Sequence, residues 1–133
     1  MTETTQQFFD ARPESIGQAR EFTTRALARW GLRGRAEDIR LCVSELATNT
    51  LVHGAAADNG FLVRLDADED VVRLEVHDSS RRRPEARRAA DTDLSGRGLT
   101  LVDALADGWG VQDLTPSGKI VWSCFKTAGG TTA

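Results

Sequence analysis

The chain is short of the residues and segments that mark several classes of protein. It has only two cysteines, Cys42 and Cys124, so it does not resemble a disulfide-stapled secreted domain. It shows no signal peptide and no apolar run long enough to span a bilayer. Its basic side chains are almost all arginine, with Lys119 and Lys126 as the two lysines. These absences predict a cytoplasmic protein with reduced core cysteines and no membrane contact.

The net charge and the length of the chain further restrict the classes of protein to which it can belong. The net charge is −3, which argues against a general nucleic-acid binder. A chain of 133 residues with 40% hydrophobic residues can bury a core without disulfides. We therefore expect one domain over residues 1–133, in which 79–95 form a mobile loop and 127–133 a flexible tail.

Hydrophobic periodicity predicts the element order β-α-α-β-β-loop-α-β-β. Because helices and strands do not alternate strictly, the order does not suit a parallel Rossmann sheet. It favours a two-layer α/β (α+β) sandwich, whose mostly antiparallel, mixed sheet is covered on one face by about three helices. The predicted elements are a strand at 6–10, helices from Pro13 to Gly31 or Gly34 and from Ala36 to His53, strands around 61–65 and 72–77 with a hairpin loop at 66–70, a helix at 99–105, and a closing hairpin from Trp109 to Phe125.

The second predicted helix carries a polar edge. Glu45, Asn49 and His53 recur every fourth residue along the border of its apolar stripe. They are predicted to be half-buried polar groups in a line about 12 Å long. A carboxylate there is costly unless a cation or a hydrogen-bond donor meets it, so three such residues favour a ligand over a merely solvated edge. The stripe itself consists of Ile39, Cys42, Val43, Leu46 and Thr50.

Two further motifs follow later in the chain. A predicted strand ends at His77, and Asp78 lies at its junction with an arginine-rich loop. After that loop, Gly96-Arg97-Gly98 precedes a predicted helix. Two glycines let a backbone approach a ligand closely, and a helix N-terminus offers unpaired N–H groups to an anion. Each motif alone is more often a turn.

Taken in this order, the three motifs resemble those of the GHKL (Bergerat-fold) ATPases. The wording SELATNTLVHG at residues 44–54 is similar to that of the anti-sigma-factor serine kinases of bacterial partner-switching systems. The resemblance covers nearly the whole chain. It implies a histidine-kinase-like ATPase fold with ATP and Mg²⁺ as cofactors. It also implies that the protein phosphorylates a serine on an antagonist protein and thereby controls its hold on a sigma factor.

The resemblance implies a role for each matching residue. Asn49 matches the Mg²⁺ ligand, Glu45 the general base and Asp78 the acceptor for the exocyclic amine of adenine. The loop at 79–95 matches the ATP lid, and His53 receives no chemical role. A homodimer is suggested as well. The residues that match the phosphate-binding box are Gly96, Arg97, Gly98, Leu99 and Thr100.

Two departures from the family pattern favour an alternative function. The glycine box after the aspartate usually reads D-x-G-x-G, whereas residues 78–82 read D-S-S-R-R. The last box lacks the usual threonine beside Gly118. The alternative is a catalytically weak or inactive ATP-binding module that sequesters a sigma factor or another regulatory partner. A nucleic-acid or acidic-protein binder using the arginines of 79–95 is disfavoured, because the chain is acidic and that loop has no aromatic residue.

Overall fold

The computed structural model describes residues 2–53, 60–78, 98–113 and 118–127, and these form five strands and three helices in the predicted order. The elements are β1 (Glu3–Phe9), α1 (Glu14–Arg29), α2 (Ala36–His53), β2 (Phe61–Ala67), β3 (Val71–Asp78), α3 (Gly98–Leu105), β4 (Gly108–Asp113) and β5 (Lys119–Lys126).

The strands form one sheet in the order β1-β2-β3-β5-β4, and all four neighbouring pairs within the described ranges are antiparallel. The helices pack on one face of this sheet. Alternation explains how, because in β2 and β3 every second side chain is buried against the helices. The predicted two-layer sandwich is therefore confirmed.

The second face of the sheet, turned away from the helices, is called the open face below. Its side chains are half-buried or exposed, and many are long and polar. The open face comprises Thr4, Gln6, Phe8, Leu62, Arg64, Asp66, Val71, Arg73, Glu75, His77, Ile120, Trp122 and Cys124, with Gly108, Gly110 and Gln112 on the edge strand β4.

Helix α2 has the predicted bounds and the predicted core stripe. Its period of 3.6 residues turns one apolar side onto the sheet, and burial of each large apolar side chain contributes about 1.5–3 kcal/mol. The stripe residues are almost completely buried, at 0% exposure for Ile39, Cys42 and Val43, 2% for Leu46 and 7% for Thr50.

Helix α1 ends as the glycine signal predicts. Gly31 has a φ of 72°, a left-handed conformation that favours glycine. Its N–H donates to Ala28 O at 3.1 Å, and the N–H of Leu32 donates to Leu27 O at 2.9 Å. These two bonds satisfy carbonyls that the end of a helix leaves free. The chain can therefore turn towards α2 within a few residues.

Arg35 fixes the direction of α2 and α3 relative to the sheet. Its guanidinium donates to Lys126 O at 2.9 Å and to Leu105 O at 2.7 Å. The start of α2, the end of α3 and the end of β5 thus meet at one end of the sandwich. At about 1.5 Å per residue α2 is about 27 Å long, close to the length of β3. The last turn of α2 therefore lies at the opposite end, where β3 terminates at Asp78.

Two strand predictions need correction. The first strand is β1 at Glu3–Phe9 and not 6–10, because its pairing with β2 extends back to Glu3 opposite Ala67. The hairpin loop is shorter than the predicted 66–70, since Asp66 and Ala67 belong to β2. Asp66 is held in the strand by its neighbours, as its carboxylate accepts hydrogen bonds from Thr4 at 2.6 Å and from Arg64 at 3.1 Å.

The two cysteines differ in position. Both thiols are free, and Cys42 is fully buried as predicted. The prediction that Cys124 is a core residue is wrong, because β5 turns Ser123 and Phe125 towards the helices. Cys124 therefore lies half-buried on the open face, opposite Arg73.

Two sequence predictions concern segments at the limits of the described structure. The predicted lid at 79–95 lies outside the described residues. Thr127, assigned to the tail, donates its N–H to Asp70 O at 2.8 Å and is joined to the β2–β3 turn, and 128–133 lie outside the described part. Among the helices that the structure describes, none has the length and apolar character needed to cross a membrane.

Candidate functional site

The polar edge of α2 lies where the sequence places it. Glu45 and Asn49 are both half-buried and stand about 6 Å apart along the helix axis. Each is followed by a buried residue, Leu46 and Thr50 respectively, so the backbone under both side chains is anchored in the core. Helix α2 ends at His53, whose side chain lies outside the described part of the structure.

Asp78 is the most deeply buried carboxylate described. It is 1% exposed and forms the last residue of β3, one position beyond the predicted strand end. The alternation of β3 turns it to the helix side, together with Val76. It therefore lies on the helix-covered face, at the end of the sandwich towards which α2 runs. A carboxylate in such surroundings is a strong hydrogen-bond acceptor in a place of low dielectric constant.

Lys119 is a candidate site residue that the sequence analysis missed. It stands directly opposite Asp78 in the β3–β5 pairing, and opposed residues turn their side chains to the same face of a sheet. The Cβ atoms of such a pair lie about 4.5–5.5 Å apart, so the ammonium group of Lys119 can reach the surroundings of Asp78. Only the register of two strands 41 positions apart reveals this pair.

The third motif is described in part. Helix α3 begins at Gly98, as the predicted phosphate box requires, whereas Gly96 and Arg97 lie outside the described residues. Leu99 is 7% exposed and packs in the core, so only its backbone N–H can serve a ligand. Thr100 is exposed. The helix runs back to Leu105, which Arg35 holds at the opposite end, so its N-terminus points towards the end of β3.

Two kinds of site find no support among the described residues: a cysteine nucleophile, and a metal centre built from three or more His, Cys, Asp or Glu side chains. Burial, followed by the nearby charge of Asp38, raises the pKa of the Cys42 thiol to about 12, so this thiol stays protonated and is no nucleophile. Within residues 2–53, 60–78, 98–113 and 118–127, no group of three or more His, Cys, Asp or Glu side chains could hold a metal ion.

The structure therefore directs the three motifs towards the same end of the sandwich. The last turns of α2 carry Asn49, the end of β3 carries Asp78, and the N-terminus of α3 at Gly98 points towards that end. Helix α2 contacts both β3 and α3. An amide oxygen, a buried carboxylate and a helix N-terminus are groups that suit a metal ion, an amine and a phosphate, respectively.

A comparison with protein families agrees with this arrangement. The model of the histidine kinase-like ATPase domain matches residues 9–125, which includes every element from α1 to the body of β5. The chain belongs to this family. The match covers the candidate site in full, including the loop at 79–95. A comparison with curated proteins found no match.

Membership in the histidine kinase-like ATPase family supports the general function of the domain and not its specific substrate. It supports ATP binding, with Mg²⁺ as the usual companion ion, as the general property of such a domain. It agrees with the GHKL resemblance and with the antiparallel sandwich. The serine-kinase type is a narrower hypothesis that rests on the sequence motifs.

Proposed function

We propose that the protein is a cytoplasmic ATP-binding regulator that phosphorylates a serine on an antagonist protein and thereby controls its hold on a sigma factor. The observation that carries the ATP-binding part is the buried carboxylate of Asp78 at the end of β3, on the face and at the end towards which α2 and α3 direct their polar groups. The proposed partners are the antagonist and the sigma factor, without direct contact to nucleic acid or a membrane.

Asp78 would read the base. Adenine offers an exocyclic amine, which donates to a carboxylate, whereas guanine offers a carbonyl oxygen at the corresponding position. A buried acceptor therefore selects adenine, because a carbonyl facing it would leave two acceptors in contact. Lys119, opposite Asp78, would add a donor beside the same base edge.

Asn49 and the start of α3 would hold the phosphates and their ion. Mg²⁺ prefers oxygen ligands and usually retains waters and phosphate oxygens, so one amide oxygen from the protein is sufficient to position it. The ion would neutralise phosphate charge during transfer. Backbone N–H groups at Gly98 and Leu99 would face the phosphates, and Arg97 would contribute a guanidinium.

Glu45 would act as the base in the transfer step. The serine hydroxyl oxygen attacks the terminal phosphorus, the bond from that phosphorus to the ADP oxygen breaks, and the carboxylate of Glu45 accepts the hydroxyl proton. The position of Glu45 suits this task, since a half-buried carboxylate beside the anchored Leu46 is both accessible and held in place. ADP leaves with the electron pair of the broken bond.

A sequestering module without kinase activity is the second candidate. The sequence D-S-S-R-R at 78–82 places side chains where the family usually has glycine, which argues for altered nucleotide handling. The carboxylate at Glu45 argues for the kinase, because a module that binds ATP and a protein without transferring phosphate needs no base at that position.

Isothermal titration calorimetry with ATP and GTP, each with Mg²⁺ and with EDTA, tests the ATP-binding part. The wild type should bind ATP with Mg²⁺ more tightly than either ATP in EDTA or GTP. Asp78→Asn should weaken ATP binding roughly ten- to a hundredfold, the worth of one charge-assisted hydrogen bond. Asn49→Ala should remove most of the magnesium dependence.

Gln18→Ala is the matched control, since it also removes a polar side chain from a helix but lies on the exposed side of α1. Its ATP affinity should equal that of the wild type. A wild type that binds neither nucleotide, or binds ATP equally well in EDTA and with Mg²⁺, would contradict the assigned roles.

A further inference from the structure

A second pocket lies at the end of the sandwich where Arg35 joins the start of α2 to the ends of α3 and β5. Its walls are residues 31–35, between α1 and α2, and residues 126–127 at the end of β5. Its volume is about 520 Å³, and sites for small molecules usually measure about 300–1,000 Å³. Asp78 lies at the opposite end of the sandwich, so this pocket is separate from the candidate nucleotide site.

The walls of this pocket are held in place by hydrogen bonds within the protein. The N–H groups of Gly31 and Leu32 donate to carbonyls in the last turns of α1, at 3.1 Å and 2.9 Å. On the other wall, Arg35 donates to Lys126 O at 2.9 Å, and the N–H of Thr127 donates to a carbonyl of the β2–β3 turn at 2.8 Å. The pocket is therefore preformed, and binding a ligand there costs little ordering of the chain.

Every charged side chain that lines the pocket is cationic, although the whole chain has 20 acidic and 17 basic residues. The charge of Arg35 is compensated, because Asp38 at 3.2 Å and Asp107 at 2.9 Å pair with it. Arg33 and Lys126 are exposed, and neither forms an ion pair with any residue that the structure describes. These two uncompensated cations favour an anionic ligand.

The wall between α1 and α2 offers an apolar surface and bare backbone. Leu32 packs against the core, which fixes its position. Gly34 has no left-handed φ, and a Cβ atom built on it would meet nothing within 4 Å. Neither its conformation nor its packing therefore requires glycine at this position. Bare backbone allows a ligand to approach closely, and an apolar wall suits the body of an organic molecule better than a hydrated inorganic ion.

Thr127 contributes a hydroxyl that lacks an acceptor. Its Oγ1 is buried and forms no hydrogen bond within the described part of the chain. A buried donor without a partner destabilises a protein, and such groups are rare in folded domains. A carboxylate oxygen bound in the pocket that Thr127 lines would accept this hydrogen and remove the cost.

We propose that this pocket binds an organic carboxylate, a small molecule with one anionic head group and an apolar body. The head group lies between Arg33 and Lys126 and accepts hydrogen bonds from both. A guanidinium group presents two parallel N–H groups that match the two oxygens of a carboxylate, which gives the contact its geometric specificity. The apolar body lies against Leu32 and the backbone of Gly34. The site is additional to the proposed nucleotide site and does not depend on it.

An NMR titration of the backbone amide signals with phenylacetate tests the site. Phenylacetamide, a neutral molecule of the same shape, measures the contribution of the charge. The signals of Gly31, Leu32 and Gly34 should shift with phenylacetate, and its Kd should be about tenfold or more below that of phenylacetamide, the usual effect of one charge-assisted hydrogen bond. Inorganic phosphate, which has no apolar body, should bind more weakly than phenylacetate.

A double variant, Arg33→Ala with Lys126→Ala, removes both uncompensated cations and no core contact. It should raise the Kd of phenylacetate about tenfold or more and leave the Kd of phenylacetamide unchanged. Arg29→Ala is the matched control, because it removes an exposed arginine from the last turn of α1, outside this pocket. It should bind phenylacetate like the wild type.

Four results would each overturn the proposal: absence of shifts at Gly31, Leu32 and Gly34, equal affinity for phenylacetate and phenylacetamide, undiminished binding of phenylacetate by the double variant, or phosphate bound as tightly as phenylacetate. ATP is proposed to bind at the other end of the sandwich, so the double variant should retain the ATP affinity of the wild type. The two proposals can therefore fail separately.

Discussion

Arg35 and Asp107, 72 positions apart in the chain, are joined by a hydrogen bond of 2.9 Å from Nη1 to Oδ2. The same carboxylate oxygen accepts the backbone N–H of Lys126 at 2.7 Å. The guanidinium also lies 5.3 Å from the ring centroid of Phe125. One side chain before the first turn of α2 is thus tied to the segment between α3 and β4 and to the end of β5.

Replacing Arg35 should destabilise the fold. Arg35→Ala removes donors from Asp107, Leu105 O and Lys126 O in a group that is only 22% exposed. We expect a loss of about 2–3 kcal/mol in the free energy of unfolding, measured by urea denaturation. Arg33→Ala, at an exposed position two residues earlier, should cost less than about 0.5 kcal/mol, as is typical of surface substitutions. Equal losses in the two variants would contradict the assigned role of Arg35.

The charge of Asp107 should make the free energy of unfolding depend on pH in the acidic range. The backbone N–H of Lys126 and then Arg35 lower the pKa of this carboxyl below its usual value. A group with a lowered pKa in the folded state contributes stability above its unfolded pKa of about 4, and this contribution disappears as pH falls through the folded pKa. Asp107→Asn should therefore be less stable than the wild type at neutral pH, and the difference should shrink in strong acid.

Urea unfolding at pH 7 and pH 3 measures this effect. Asp70→Asn, in the exposed turn between β2 and β3, is a control that should follow the wild type at both values. A difference between Asp107→Asn and the wild type that stays constant from pH 7 to pH 3 would show that the charge of Asp107 is unimportant.

Gly110 should be intolerant of any side chain. A Cβ atom there would lie 2.8 Å from Cζ2 of Trp122, whose indole also stacks under the guanidinium of Arg73 at 4.7 Å. Gly110→Ala should displace the ring and cost about 1–2 kcal/mol, with a change in near-ultraviolet circular dichroism. Gly108→Ala is the control, because its added Cβ meets nothing within 4 Å. An unchanged spectrum for Gly110→Ala would refute the predicted displacement.

Glu45 should separate the kinase from the sequestering module. Glu45→Gln keeps the size of the side chain but removes the proposed base. If the protein is a kinase, ATP and antagonist binding should persist while phosphotransfer falls by roughly 10²–10⁴-fold. Glu37→Gln, an exposed carboxylate in the first turn of α2, should transfer phosphate normally. A wild type that binds ATP and its antagonist without any transfer would leave the sequestering module as the function.

Local patterns were sufficient to predict much of this fold. The bounds of α2 follow from its own periodicity, and the buried sides of β2 and β3 follow from alternation. Gly31 marks the end of α1 because its conformational freedom is a property of that residue alone. The polar edge with Glu45 and Asn49 could also be predicted from local sequence, since both residues lie on one helix.

Features that depend on register between distant segments were not predictable. Cys124 lies on the open face because of how β5 pairs with β3, and the pairing of Lys119 with Asp78 has the same origin. Arg35 resembles any other arginine in the sequence, and its partners at Leu105 and Lys126 lie 70 and 91 positions away. Loop closure over such separations is decided by the packed core as a whole.

Because the two thiols are unequally buried, one cysteine can be labelled selectively in the folded protein. Cys42 is inaccessible and resists deprotonation, so an alkylating reagent should leave it unmodified while the protein is folded. Cys124, half-buried next to Trp122, is then the single attachment point for a fluorophore without any substitution. A dye there sits on the surface turned away from the helices. Its emission would report any molecule that covers that surface and leave the nucleotide end undisturbed.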